Sequence, residues 1–527
     1  MRTVSVNGVA PGAGRREWIG LAVLALGTLL VSFDVFVLLL ALPHLSADLG
    51  ADGVQQLWIM DIYGFMVGGF LITMGSLGDR IGRRRLLLIG AAAFGVASVL
   101  SAYSTSPGML IAARALLGVA GATLAPSTLA LISNMFRNPR QMGVAIGVWA
   151  GSFTVGAIIG PIVGGVMLEH FWWGSVFLLG VPVMALLLVL GPMLLPEYRA
   201  PGSGRIDPLS VGLSLAAILP FIYGVKELAR SGWEPLPVVA VAAGLLFAVA
   251  FVRRQRVLAD PLLDLSLFGD RAFGTTLVSL LAYSLLTGGT MLFVAQYFQS
   301  VGGLSPLQAG LGLLPGMAAS TVSVMVSPIL ARRIRPAYLI AAGLVVVVAG
   351  LLLVTLADAD SGPAILIVAF AVWALGGGPL LSLGINLVVA SAPPEKAGAA
   401  SAMPQISNEL GAALGFAVLG SVGIAVYRAQ VADAVPPGLS AEAAGRAHES
   451  IAGATAVAAD LPGELATALL APAREAFTSG VHIVAAVSAA LLACTALLVA
   501  VRLRHIRPVG EVESQVTGDR GAASEAV

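Results

Sequence analysis

Apolar runs of about twenty residues, the length that crosses a bilayer as a helix, recur along nearly the whole chain between charged, Pro or Gly breaks. Lipid offers no partner for backbone N–H and C=O groups, so such runs must form helices. The alternation of apolar and polar residues that a transmembrane barrel needs is missing. The pattern predicts fourteen spans, near residues 18–43, 56–77, 86–103, 108–133, 141–168, 175–195, 208–228, 236–252, 272–298, 306–331, 337–356, 363–392, 398–427 and 479–501.

Composition supports an all-α integral membrane protein. Of the 527 residues, 58% are hydrophobic and 11% are charged, whereas soluble domains carry about 25% charged residues. The mean hydropathy is +0.94. The formal net charge of +1 gives no sign of a nucleic-acid partner, and we expect none.

The distribution of basic residues predicts the orientation. If the N-terminus is cytoplasmic, the cytoplasmic segments hold 23 Lys and Arg residues and the opposite side holds 5. Short loops rich in Lys and Arg stay in the cytoplasm. We therefore expect a multi-pass protein of the cell membrane with both termini inside, and Arg114 as the only basic residue within a span.

A weak internal repeat predicts the domain organisation. The stretch "GSLGDRIGRRRLLLIG" after the second span has a counterpart in "SPILARRIRPAYLIAAG" after the tenth. We expect a six-helix bundle over 1–205, two linker helices over 206–255 and a second bundle over 256–527, with a central site between the bundles. The long outer connection 428–478 is either a partly ordered lid or a mobile tether. We expect a monomer surrounded by membrane lipids.

Three acids lie clearly inside predicted spans: Asp34, Asp61 and Glu409. Charges in a bilayer are costly, so such residues usually face a water-filled cavity and mark the path of an ion or substrate. The two spans that carry Asp34 and Asp61 run antiparallel, which places both acids at comparable depth, opposite Glu409 of the other bundle. Each acid could instead be structural, or interfacial if a boundary is misplaced.

A carboxylate in such a cavity can hold a proton or an organic cation, but hardly both at once. This competition would couple transport of the cation to transport of protons. Ring faces attract cations, and polar groups can line the same cavity. Candidates for the lining are Tyr63, Trp149, Gln296, Tyr297, Asn386, Met403 and Gln405.

Two further patterns indicate conformational change. In "GSLGDRIGRRR", glycines permit a tight turn, and an acid among arginines can form a latch on the cytoplasmic side; the arginines could also be a plain positive-inside anchor. In "GAIIGPIVGG", small residues recur on one helix face and permit close packing. Arg114 either tunes a neighbouring acid for proton relay or braces helix packing. The gating candidates are Gly75, Asp79, Arg80, Gly82, Arg83, Arg114, Gly156, Gly160, Pro161, Gly164 and Gly165.

Several functions find no support in the sequence. There is no G-x-x-x-x-G-K-[ST] loop for ATP and no H-E-x-x-H pair for a metal. We expect no cofactor, no metal and no enzymatic activity. An intramembrane enzyme would need clustered catalytic groups, which three dispersed carboxylates do not provide.

These motifs resemble the fourteen-helix drug/proton antiporters of the major facilitator superfamily. The signature G-x-L-a-D-R-x-G-R-[KR] is similar to Gly75–Arg84, with Gly78 in place of Ala. The fourth-helix signature R-x-x-q-G aligns with Arg114 and Gly118, and g-x-x-x-G-P-x-x-G-G matches 156–165 in full. The first-helix signature keeps Asp34, Ala41, Leu42 and Pro43 but differs between them.

Within that family, "QQLWIMDIY" and the pair Asp34 and Asp61 look like exporters of quaternary ammonium antiseptics and cationic dyes. The resemblance implies that Asp34, Asp61 and Glu409 serve in cation recognition and proton coupling. It thus implies a proton-coupled exporter of lipophilic organic cations. A dedicated exporter of an endogenous secondary metabolite or antibiotic would share every helix signature and remains the alternative.

Overall fold

A computed structural model describes residues 13–136, 138–199, 207–231, 234–258, 261, 265–358, 362–391, 397–432, 436 and 439–506. Across these residues, thirteen helices are long and apolar enough to cross a membrane. A fourteenth helix has 29 residues, or ~44 Å of length, which exceeds the ~30 Å of hydrocarbon. The predicted all-α membrane fold with fourteen spans is confirmed.

The first bundle contains seven helical segments, of which two form one interrupted span. The first helix packs on the fifth, the second on the fourth, and the third on the fourth and seventh. The segments are α1 (Arg15–Leu49), α2 (Gly53–Ile81), α3 (Arg83–Ala102), α4 (Pro107–Met135), α5 (Pro139–His170), α6 (Ser175–Leu178) and α7 (Gly180–Leu194).

Helix α1 is longer than predicted. The prediction ended the first span at Pro43, but the helix continues through this proline to Leu49. A proline inside a helix removes one hydrogen bond and bends the helix without always ending it. The helix ends where Gly50 adopts φ 65°, a left-handed cap that glycine adopts without steric cost.

The linker helices form an antiparallel pair, α8 (Pro208–Ser231) and α9 (Pro235–Val257). Helix α8 also packs on α2 and on a helix of the second bundle, so it lies at the junction of the two bundles. The predicted boundary at 205–206 lies outside the described residues. The boundary at 255–256 falls in the last turn of α9.

The second bundle follows a 3₁₀ turn, Leu265–Gly269. Its first and fifth helices pack closely, as do its second and fourth and its third and fourth. The segments are α10 (Arg271–Ser300), α11 (Pro306–Leu330), α12 (Pro336–Val354), α13 (Ala364–Ala390), α14 (Ala397–Val431), α15 (Ala441–Glu449), α16 (Ile451–Ala459) and α17 (Gly463–Arg502).

The connection before the last span is largely helical. The prediction placed it at 428–478, but α14 extends to Val431 and α17 begins at Gly463, so α15 and α16 occupy the middle. Tyr427 Oη donates to the Ala447 carbonyl at 2.7 Å, and Gln56 Nε2 donates to Ser450 Oγ at 3.1 Å. These two short helices, called the cap from here on, therefore cover the ends of α2 and α14.

Candidate functional site

Arg114 on α4 pairs with Asp34 on α1. Its Nη1 donates to Asp34 Oδ2 at 2.5 Å, and its Nε donates to the Ile59 carbonyl of α2 at 3.2 Å. The Arg114 side chain is 1% exposed and its guanidinium lies 5.0 Å from the centre of the Tyr63 ring. One buried cation thus joins three helices and sets the position of Asp34.

Asp61 has a partner that the sequence analysis missed. Its Oδ2 lies 2.7 Å from Nζ of Lys226 on α8, and neither side chain is exposed to solvent. The expectation that Arg114 is the only basic residue within a span is therefore wrong, because α8 also spans. Lys226 was counted among the five basic residues of the opposite side although it lay within the predicted span 208–228, and that position was the signal available.

Glu409 of the second bundle faces these groups. It lines a cavity of about 30 Å³ together with Asp61, Tyr63 and Arg114. Its Oε1 accepts a hydrogen bond from Gln405 Nε2 at 2.9 Å. The structure thus brings acids from both bundles to one cavity, which has room for about one water molecule.

Close contacts between α2, α4 and α14 explain how this cavity forms. A Cβ atom at Gly118 would lie 2.6 Å from the Tyr63 carbonyl oxygen, and one at Gly64 would lie 3.1 Å from Ala413 Cβ. Glycine permits this approach because it has no side chain. The small residues at these positions place Tyr63 of α2 against α4 and the backbone of α2 against α14.

Other predicted lining residues lie elsewhere. Trp149 Nε1 donates to Thr128 Oγ1 at 3.0 Å, Asn386 is exposed and donates to the Ser382 carbonyl, and Met403 is buried. Their helices extend from the bundle junction toward the predicted cytoplasmic side. None of the three lines the cavity around Asp61 and Glu409.

Gln296 and Tyr297 lie nearer the predicted outer side. Gln296 lines a second cavity of about 20 Å³ beneath the cap, with Gln56 and Ser450. Tyr297 is buried and its hydroxyl donates to the Asp358 carbonyl at 2.5 Å. Side chains beneath the cap thus leave only a water-sized cavity, whereas a larger groove of about 600 Å³ lies beside the cap, between 46–52 and 442–453.

The glycine motif of α5 packs in two directions. On one face, a Cβ atom at Gly156 would lie 2.4 Å from the Leu29 carbonyl oxygen, and Gly160 and Gly164 lie against the backbone and side chains of 33–37. The motif therefore packs against the part of α1 that carries Asp34.

The other face of α5 meets the second bundle. A Cβ atom at Gly165 would lie 2.5 Å from Leu307 Cα, and the Pro161 carbonyl oxygen would lie 2.3 Å from a Cβ atom at Gly310. A Cβ atom at Gly147 would meet open space, although Gly147 is 18 residues, or about five turns, from Gly165 on the same face. Helices α5 and α11 therefore touch near the predicted outer side, whereas the Gly147 position toward the predicted cytoplasmic side has no neighbour within 4 Å.

The predicted latch surrounds a sharp turn between α2 and α3. Gly82 adopts φ 112°, and a Cβ atom there would lie 2.4 Å from Glu197 Oε1. The backbone N–H of Arg84 donates to the same oxygen at 3.1 Å. Glu197, which follows α7 and was not predicted as a site residue, is thus an acid partner of this turn.

The remaining latch residues differ in their surroundings. Arg83 is buried and its Nη1 donates to the Pro126 carbonyl at 3.3 Å, Gly75 approaches the Pro126 side chain, and Arg80 is exposed. The side chain of Asp79 lies outside the described residues. The described contacts join α2, α3 and α4 at this end.

The absence of metal, cofactor and enzymatic activity stays a prediction. Within the described ranges, no three His, Cys, Asp or Glu side chains come together as metal ligands would.

Two helical bundles with ionisable residues at their junction are the arrangement of a secondary transporter. Residues 24–416 match the family model of the Major Facilitator Superfamily. The chain belongs to this family, as its motifs predicted, and is a multi-pass membrane transporter.

Several similar proteins are named for efflux, resistance or export. The chain is 45% identical over 490 residues to the "Multidrug efflux pump LfrA" of Mycolicibacterium smegmatis, covering 93% of this chain and 97% of that protein. It is 36% identical to the "Methyl viologen resistance protein SmvA" of Salmonella typhimurium, with 88% and 93% covered. It is 32% identical to the "Tetracenomycin C resistance and export protein" of Streptomyces glaucescens, with 95% and 94% covered.

Solved structures agree on the fold. A bacterial homolog of the human lysosomal transporter Spinster, in an inward-facing and unoccupied conformation, superposes with a TM-score of 0.67 at 17% identity. The match covers 94% of this chain and 99% of that one.

Proposed function

We propose that this protein is a proton-coupled antiporter that exports lipophilic, mainly cationic drugs, dyes and quaternary ammonium compounds by alternating access. The observation that carries the proposal is the cavity where Asp61 and Glu409 meet from different bundles, beside Asp34 held by Arg114. Relatives named for multidrug efflux and methyl viologen resistance support a cationic cargo.

The conformation supports loading from the cytoplasm. The bundles touch between Gly165 and Leu307 at the outer end, and Gln299 Nε2 donates to the Leu40 carbonyl at 3.0 Å. Toward the other end, a Cβ atom at Gly147 of α5 would meet open space. With both termini cytoplasmic, these contacts support an inward-facing state that a substrate enters from the cytoplasm or the inner leaflet.

The acids couple the two fluxes in this proposal. A cation binds near deprotonated carboxylates, and the bundles rock so that the site opens outward. Protons from outside then neutralise Asp34, Asp61 or Glu409, and the cation leaves. Each proton that enters down one pH unit supplies about 1.4 kcal/mol, and each net inward charge adds about 2.3 kcal/mol per 100 mV.

A dedicated exporter of an endogenous metabolite or antibiotic is the second candidate. It is favoured by the 32% identity to the protein named for tetracenomycin C resistance and export. Adding ethidium, a cationic dye, to the detergent-purified protein separates the two candidates. A cation site that exchanges with protons releases protons into a weak buffer, whereas a site for neutral cargo releases none.

The main test is ethidium efflux from cells that express the wild type, Asp34→Asn, Asp61→Asn or Glu409→Gln at matched levels. We expect efflux by the wild type that an uncoupler abolishes, and strongly reduced efflux by each variant. Normal efflux by all three variants would overturn the proposal.

A further inference from the structure

The pair between Asp61 and Lys226 lies at the cavity that Asp61 and Arg114 both line. Lys226 belongs to α8, one of the two helices that are additional to the bundles, and its side chain is fully buried. Helix α8 packs on α2 and α14. The lysine therefore brings a positive charge from the linker pair to the acid that faces the cavity.

The surroundings of the lysine are those of a bound organic ammonium. Its Nζ lies 3.8 Å from the centre of the Trp58 ring and 2.7 Å from Asp61 Oδ2. Trp58 and Asp61 are three residues apart on α2 and thus lie on one helix face. An aromatic face beside a carboxylate is a pairing that recognises ammonium cations, and here a side chain of the protein occupies it.

The lysine is not held by a complete hydrogen-bond network. Asp61 Oδ1 and Lys226 Nζ are buried, and neither makes a hydrogen bond of good geometry to a described residue. A buried ion pair gains little free energy unless further hydrogen bonds satisfy both groups. An organic cation that binds Asp61 would supply the charge that the lysine supplies now, so the acid would stay paired.

We propose that Lys226 is a tethered competitor, which occupies the Trp58–Asp61 site in the unloaded protein and is displaced by the ammonium or iminium group of a monovalent organic cation. The inference rests on the proposed function and adds to it the residue that resets the site. After export, the lysine returns to Asp61 and helps to expel a cation that would otherwise rebind.

Other charged groups surround the site. Glu409 faces it from α14, Arg114 with Asp34 faces it from α4 and α1, and Tyr63 lies on α2 itself. Glu227 follows the lysine on α8 and is half-buried. The test compares variants at one fixed pH, so that bulk pH is the same in every measurement.

The test measures ethidium affinity of the purified full-length protein at about pH 8, because an alkaline pH favours the ionised form of a carboxyl group. Lys226→Met keeps the size of the side chain and removes its charge. We expect this variant to bind ethidium about tenfold more tightly, because close charge pairs couple at least that strongly. Lys226→Arg keeps the competing charge and should bind no more tightly than the wild type.

The dependence on Asp61 separates competition from a structural role. In the Asp61→Asn background, the Lys226→Met change should no longer tighten binding. This double variant replaces the pair by neutral groups of similar volume, a change that buried pairs often tolerate, so it should fold. If Lys226→Met is unstable, Lys226→Gln provides the same comparison.

Transport supplies a second measurement. The Lys226→Met variant should show a lower KM and a lower maximal rate of ethidium export in cells, because binding is tighter and release is slower. A purely structural role would lower the rate without lowering KM.

Different results would overturn the role of Lys226 and the proposed cation export. Ethidium binding by the wild type that Asp61→Asn weakens, together with unchanged or weaker binding by Lys226→Met, would overturn the role of Lys226 alone. Absence of ethidium binding by the wild type, or binding that Asp61→Asn leaves unchanged, would count against Asp61 as a cation site and hence against both.

Discussion

Arg114 Nη1 lies 2.5 Å from Asp34 Oδ2 in a site where the arginine side chain is 1% exposed. The same guanidinium donates to the Ile59 carbonyl two residues before Asp61. Arg114 therefore holds Asp34 of α1 beside the segment of α2 that carries Asp61. Both earlier interpretations of Arg114 are compatible with this geometry, since it braces α1, α2 and α4 and also sets the charge near Asp34.

Asp34→Asn should abolish ethidium export and destabilise the protein. Removing one partner of a buried ion pair leaves the other charge uncompensated, which typically costs about 3–5 kcal/mol. Asp34→Glu keeps the charge and should retain more of both properties. Thermal unfolding in detergent and export at matched expression provide the measurements. An Asp34→Asn protein with wild-type stability and export would show that the pair has neither role.

Gly165→Ala should weaken the closed outer end. The added Cβ atom would lie 2.5 Å from Leu307 Cα, and overpacking of this kind costs about 1–3 kcal/mol. Cys494 is the only cysteine, so a Cys494→Ser background allows a single reporter, Gln296→Cys, in the cavity beneath the cap. An impermeant maleimide applied outside should label this cysteine about tenfold faster in the Gly165→Ala variant.

The control for this experiment is Gly147→Ala on the same face of α5, where a Cβ atom meets open space. It should leave the labelling rate unchanged. Equal rates for Gly165→Ala and the parent would contradict a role of this contact in closing the outer end.

Gly82→Ala should impair both stability and export. The residue adopts φ 112°, a region that costs side-chain-bearing residues about 1–3 kcal/mol, and the new Cβ atom would also meet Glu197. Gly269→Ala, with nothing near its Cβ position, is the matched control. In the Gly82→Ala variant, an additional Glu197→Ala change should relieve the steric clash but not the backbone strain. Wild-type melting temperature and export for Gly82→Ala would exclude a requirement for this turn.

The linker pair should show a pH-dependent contribution to stability. Arg254 Nε lies 2.6 Å from Asp207 Oδ2, and its hydrogen bonds together with that of Ser210 hold the pKa of Asp207 well below its ordinary value of 3.8. The pair therefore stabilises the folded state fully above that value and loses its effect as the pH falls below it. Asp207→Asn should melt at a lower temperature than the wild type at neutral pH.

Thermal unfolding at a series of pH values checks this prediction. The difference between Asp207→Asn and the wild type should shrink once the pH falls below the ordinary value of Asp207. A difference that stays constant down to the lowest pH at which the protein remains folded would show that the charge of Asp207 is not its source.

Hydropathy predicted the spans because lipid forces every crossing segment to satisfy its own backbone. It did not predict where α1 ends, because the effect of Pro43 depends on packing around it and the end is set by Gly50. The sequence did not decide whether the Ala-rich connection is a partly ordered lid or a mobile tether. The hydrogen bonds that hold the cap, to Gln56 and Tyr427, join residues far apart in the chain.

The site was predictable in part. Intramembrane acids are rare and thus visible in a sequence, and the two-bundle symmetry placed Glu409 opposite Asp61. The pairing of Asp61 with Lys226 spans 165 residues of sequence and depends on how α8 docks. Local patterns carry no information on such a contact. The same holds for Glu197 at the turn after α2.

In the proposed mechanism, an organic cation and protons exchange at these acids, and proton flux in liposomes measures this exchange. Purified protein is reconstituted with a pH-sensitive dye trapped inside, and ethidium is added outside. If ethidium and protons exchange, the lumen of wild-type vesicles becomes alkaline as ethidium enters, and Asp34→Asn, Asp61→Asn and Glu409→Gln vesicles respond far less. Ethidium entry through the wild type without any change in internal pH would contradict it.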